Sequence, residues 1–177
     1  MICEIHYVGP HKRRRKVPSE AADFYASTVK PTVSEFLSNP RDIRRGRLAA
    51  IVLYHMADYL AFDGYPRQGR GEMDKRLNAV RDELTARCPD FALIRNIADA
   101  TKHSKLSIPK NAPPREISSS QQITGSPGLF HAPFGEGVFA EAAIVFVTLA
   151  DGTIKTLEPA MISVMAVIEG RLGYTAL

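Results

Sequence analysis

Prolines and turn residues cut the middle of this chain into helix-sized pieces, and that punctuation limits the fold more than any other feature. Ser38-Asn39-Pro40, Asp63-Gly64-Tyr65-Pro66 and Pro89 each interrupt a helix, because proline lacks an amide hydrogen and its ring clashes with the preceding turn. Between the first two breaks, Leu48, Val52, His55, Tyr59 and Phe62 recur at alternating four- and three-residue steps, the spacing of one helix face. Met73, Leu77, Val80, Leu84 and Cys88 repeat that rhythm before Pro89. In residues 90–106, Ile94, Ile97, Ala98 and Thr101 fall on one helical face, while Arg95, Asp99, Lys102 and His103 fall on a broad opposite arc. A further helix is expected after Pro18-Ser19, with Phe24, Tyr25 and Thr28 inward and Pro31 kinking or dividing it before Phe36-Leu37. Asn39 is expected to cap the next helix, with Pro40 at its first position and Asp42 in its first turn.

After Ser104 the helical pattern stops. Residues 109–114 read as loop, residues 116–123 as a segment able to pair as a strand, and residues 125–137 as a Gly/Pro-rich stretch carrying Phe130, His131 and Phe134. Residues 138–149 are β-rich, Asp151-Gly152 is a strong hairpin signal, and residues 153–157 form the returning strand. Pro159 opens a last helix with Met161, Met165, Ile168 and Leu172 in a stripe and Gly173 as its stop. With 177 residues, 45% of them hydrophobic, the chain can bury one core but hardly two. The expected class is therefore α+β, mainly α: an antiparallel bundle of four to five helices with a β-hairpin or ribbon inserted before the last helix. Residues 1–17 would be a basic arm and residues 18–177 one domain, with the ribbon insertion at about residues 112–157.

Chemistry concentrates in residues 90–106. Asp99 stands three or four residues from Arg95, Lys102 and His103, so one carboxylate can reach three cationic side chains, as a binding site or as an ordinary surface ladder. His55 replaces an apolar residue in its stripe and is expected to be buried and hydrogen-bonded, with Asp58 placed to orient it. The run His11-Lys12-Arg13-Arg14-Arg15-Lys16, and a loop carrying Arg67 and Arg70, are candidate phosphate contacts on an otherwise mildly basic chain of net charge +4. Two cysteines, Cys3 and Cys88, are too few for a disulfide framework or a thiolate zinc site. His55, Asp58, Asp99 and His103 are the weaker metal candidates, with ligand types suited to zinc or iron. No nucleophile elbow, CxxC pair, HExxH, P-loop or dinucleotide fingerprint occurs, and no cofactor is expected. The longest apolar run, residues 138–150, is interrupted by Glu141 and too short to span a bilayer, so no membrane association and a cytoplasmic location are expected.

Two resemblances follow from these residues. Asp99-x-x-Lys102-His103 late in a helical region, then a Gly/Phe-rich loop, an Asp-Gly hairpin and a terminal helix, resembles a set of uncharacterised bacterial and phage-borne proteins from about Leu48 onward. That resemblance implies no activity. Arg95-Asn96 followed by His103 resembles the Arg-polar…His signature of the HEPN superfamily, all-helical domains that include metal-independent ribonucleases, with one residue more between Arg and His than the family's longest spacing. It implies Arg95 stabilising phosphate charge, His103 moving the proton of an attacking 2′-hydroxyl and Asn96 positioning one of them. The expectation is a non-enzymatic helical binding or assembly protein, with the ribbon or residues 125–137 as its contact surface. The alternatives are a HEPN-like ribonuclease and a metal-binding protein. RNA, another protein or a second copy of the chain are the partners left open.

Overall fold

The computed structural model describes residues 19–107, 115–125 and 144–174. The basic run with Arg13, Arg14 and Arg15, and the Phe130-His131 stretch, lie outside the described residues. The described chain is mainly helical, with a small three-stranded antiparallel sheet before the last helix. The helices are α1 (Glu20–Phe24), a π-helical turn (Tyr25–Val29), α2 (Lys30–Leu37), α3 (Ile43–Phe62), α4 (Arg70–Arg87), α5 (Asp90–His103) and α6 (Leu157–Leu172). The strands are β1 (Ile123–Gly125), β2 (Val145–Thr148) and β3 (Ile154–Thr156).

Pro31 does not divide the first helix at its own position, since α2 runs from Lys30 through it. The wide turn sits one residue earlier: the Lys30 amide reaches back five residues to the Tyr25 carbonyl. A π turn spreads the carbonyls that a proline ring would otherwise strike, so α1, the π turn and α2 run on as one rod. Its core side is Ala21, Tyr25, Val29, Val33 and Phe36. Phe24, expected inward, is half-buried and stacks on Tyr59 with ring centroids 3.9 Å apart.

Helix α3 is the hub, packing against α1, α2, α4, α5, α6 and β1. It buries Gly46, Ala49, Ala50, Leu53, Met56, Ala57 and Ala61, so the stripe Leu48, Val52, His55, Tyr59 and Phe62 is not the inner face. Leu48 and Tyr59 are exposed. The physical reason is close approach: a hub helix needs small residues where neighbours come near. A Cβ on Gly46 would stand 3.0 Å from Leu157 Cδ2 and 3.1 Å from Phe36 Cε2. The start of α3 also differs from expectation. Asp42, not Asn39, caps it, accepting from the Arg45 amide at 3.0 Å. The preceding turn is used elsewhere, since the Pro40 carbonyl accepts from the Val145 amide at 2.8 Å and so holds the sheet against the bundle.

The Asp151-Gly152 turn forms as read, with Gly152 at φ 84° and Asp151 Oδ1 accepting from the Thr153 amide at 2.8 Å. The ribbon has a third strand. Ile123 pairs with Val147, and Val147 with Lys155, placing β2 in the centre. Ile123, Val145 and Val147 face the core, while β3 is an exposed edge. Arg47 of α3 ties β1 down by donating to the Ser120 carbonyl at 2.9 Å and the Ile123 carbonyl at 3.4 Å. Helix α6 begins at Leu157, before Pro159, and ends where Gly173 takes the left-handed conformation that a residue without Cβ adopts at little cost.

Candidate functional site

Helices α4 and α5 are joined by only Cys88 and Pro89. Each points its apolar side inward, Val80 and Leu84 from α4 and Phe91, Ile94 and Ile97 from α5. What remains beside those seams is polar on both helices. Asn78, Arg81, Asp82 and Thr85 line one wall of a groove, and Ala92, Arg95, Asn96 and Asp99 line the other. The two sets share one helical spacing (i, i+3, i+4, i+7). Tyr54 of α3, the segment Arg115-Glu116 and Lys155 of β3 complete a cavity of about 740 Å³, within the usual range of small-ligand sites.

Four cations, Arg81, Arg95, Arg115 and Lys155, meet three carboxylates, Asp82, Asp99 and Glu116, in this lining. One pair is closed: Arg115 lies 3.2 Å from Asp99. Arg81 sets its guanidinium over the Tyr54 ring, 4.9 Å from the centroid, a contact that holds the cation without neutralising it. Its Nε is buried with no hydrogen-bond partner. Arg95 makes no hydrogen bond or ion pair among the described residues. Burial pushes the Tyr54 hydroxyl above its ordinary range, an effect opposed by Arg81 and Arg95 and reinforced by Asp99 and Asp58. It therefore stays a neutral donor near pH 7.

Asn96 is the one buried polar residue among those described, 6% exposed, and its Oδ1 has no hydrogen-bond partner. Leaving such an acceptor sealed and unpaired costs about 1–3 kcal/mol. That cost falls in the middle of α5, on the groove.

Of the described residues singled out from sequence, the fold gathers Arg95, Asn96 and Asp99 in the groove and leaves His55, Asp58, Arg67, Arg70, Lys102 and His103 outside it. Asp99 pairs with Arg115, not with Arg95, Lys102 or His103. Lys102 and His103 are exposed. His103 opens on a separate shallow depression with Lys105, Leu106 and Ser107, which shares only Asp99 and Arg115 with the groove. Helix α5 runs unbroken to His103, so the eight steps from Arg95 set the two Cα atoms about 12 Å apart along the axis and ~80° around it. Arg67 and Arg70 are exposed and do not line the groove.

His55 corrects an expectation. Its side chain is 47% exposed, 3.6 Å from Asp58, because α3 turns its small residues inward and this face outward. Among the described residues, no three His, Cys, Asp or Glu side chains come together to hold a metal, so His55, Asp58, Asp99 and His103 are not one site. Nor is any helix among the described residues long and apolar enough to cross a membrane.

Eight polar lining residues went unread in the sequence: Tyr54, Asn78, Arg81, Asp82, Thr85, Arg115, Glu116 and Lys155. Only the α4 stripe carried a local signal, its spacing matching that of α5. Compared with known protein families, with curated proteins and with solved structures, the chain matches none. The functional reading therefore rests on the groove itself.

Proposed function

We propose that the chain is a binding protein that takes a small polar ligand into the groove between α4 and α5. The observation that carries this reading is Asn96, the one buried polar side chain among the described residues, which lines the groove without a hydrogen bond to any of them and whose amide a ligand would complete. Arg95 and the Tyr54 hydroxyl stand ready in the same lining. The chemistry on offer is hydrogen bonding and charge. No His or Cys is among the lining residues, and the Thr85 hydroxyl already donates to the Arg81 carbonyl at 2.8 Å.

The test is a thermal-shift screen of a broad library of small polar metabolites against the full chain and Asn96→Leu. At least one compound is expected to raise the melting temperature of the native chain and not of the variant. A ligand at ~100 times its Kd adds about 2.7 kcal/mol, or roughly 5–11 °C for a chain of this size. A library in which no compound shifts the native chain refutes the reading.

A further inference from the structure

We infer that the Tyr54 hydroxyl, Arg81 and Arg95 form an oxyanion subsite at which the groove binds the phosphoryl group of a small phosphate monoester. The inference rests on the reading of the groove as a ligand site and names what it takes.

Three elements bring these groups together: Tyr54 comes from α3, Arg81 from α4 and Arg95 from α5. Arg81 is held over the Tyr54 ring, and Arg95 lines the same cavity from the facing helix. Neither arginine is neutralised by a carboxylate among the described residues, and Arg81 carries a buried Nε without a partner. A guanidinium is a planar fork of donors matched to tetrahedral or carboxylate oxygens. Two such forks and a neutral hydroxyl donor suit a dianionic phosphate better than a singly charged carboxylate. Lys155, also without an ion pair among the described residues, lines the same groove from β3.

The rest of the lining argues for a small ligand over a nucleic-acid strand. Asp82 and Glu116 also face the groove, and Asp99 holds Arg115, leaving a net excess of a single positive charge. That balance accommodates one phosphate, while its carboxylates repel a chain of them. Asp82 and Glu116 instead suit the hydroxyl or amino donors of the remainder of a phosphate ester.

Isothermal titration of the full chain tests this, with inorganic phosphate, glycerol phosphate and adenosine monophosphate as probes. Glycerol, adenosine and a short RNA without a terminal phosphate are the comparison ligands. A monoester is expected to bind where its alcohol does not, with inorganic phosphate weaker but measurable. Arg95→Gln and Tyr54→Phe should each weaken the monoester about tenfold or more, the worth of a lost hydrogen bond to a charged group, with unchanged circular dichroism. Three results overturn the inference: alcohol and ester binding equally, RNA binding where monoesters do not, or both variants binding like the native chain. If an unphosphorylated compound from the metabolite library binds in an Asn96-dependent way, the subsite fails and the binding reading stands. If nothing binds, both fail.

Discussion

Replacing Asn96 with leucine is expected to make the free protein more stable while emptying the groove of function. Asn96 sits mid-helix in α5, with its Oδ1 sealed from water and unpaired. Leucine branches at the same carbon with the same number of heavy atoms, so no cavity follows, and the open groove beside residue 96 takes up its larger methyl groups. Removing the unpaired acceptor returns about 1–3 kcal/mol, and the better helix propensity of leucine adds a few tenths. At roughly 2–4 °C per kcal/mol for a chain of this length, the melting temperature should rise by about 3–14 °C. The assay is thermal unfolding by circular dichroism on the ligand-free protein, paired with titration of whichever ligand binds the native chain. Stability and binding should move in opposite directions, as expected where a site keeps polar groups poised for a ligand. A fall in melting temperature of several degrees would refute the reasoning, because it would mean the amide is satisfied in the free fold and serves its architecture.

Other substitutions probe the fold and the alternative activity. Gly46→Val should lower stability by about 2–3 kcal/mol, since even a first carbon meets Leu157 and Phe36 at 3.0 and 3.1 Å and overpacking costs outweigh the gain in helix propensity; chemical denaturation measures it. Tyr25→Phe removes the hydrogen bond that the buried Tyr25 hydroxyl donates to Glu169, and should cost about 1–2 kcal/mol at neutral pH. Burial first, then Glu169, holds the Tyr25 pKa above its ordinary value of 10.0. The native chain should therefore lose stability as pH rises beyond that value, and the variant should lose less, which melts across an alkaline pH series will show. Purified protein is expected to leave RNA uncut, so Arg95→Ala and His103→Ala should change no cleavage rate; RNA cleavage abolished in both at unchanged melting temperature would reinstate the ribonuclease reading.

The helices were legible because proline and glycine mark their ends regardless of packing: Pro89, Gly173 and the Asp151-Gly152 turn act where the sequence placed them. The orientation of α3 was not. A stripe search weights large side chains, and here glycine and alanine form the buried face while Leu48 and Tyr59 stay outside. The site was half legible. The polar arc of α5 drew attention to Arg95, Asn96 and Asp99, but the same arc contained Lys102 and His103, which only tertiary packing separates from the others. Arg81 and Asp82 lie off the apolar stripe of α4 and gain meaning only when α5 is set beside it, and nothing local announces that Arg115, sixteen residues beyond Asp99, is its partner.

The π turn at Tyr25–Val29 amounts to one inserted residue stored in the first helix. Ala21, Tyr25, Val29 and Val33 repeat every four residues, a step that drifts by ~40° per repeat on an ideal α-helix. The wide turn takes up part of that drift and keeps both ends of the rod facing the hub. A chain shortened by one residue there would form a regular α-helix whose buried positions recur at steps of four, three, four and three, so Val33 and Phe36 would still face α3. The segment can consequently lose that one residue without changing its buried face, and the solvent-facing Ala26 and Ser27 are the positions free to go.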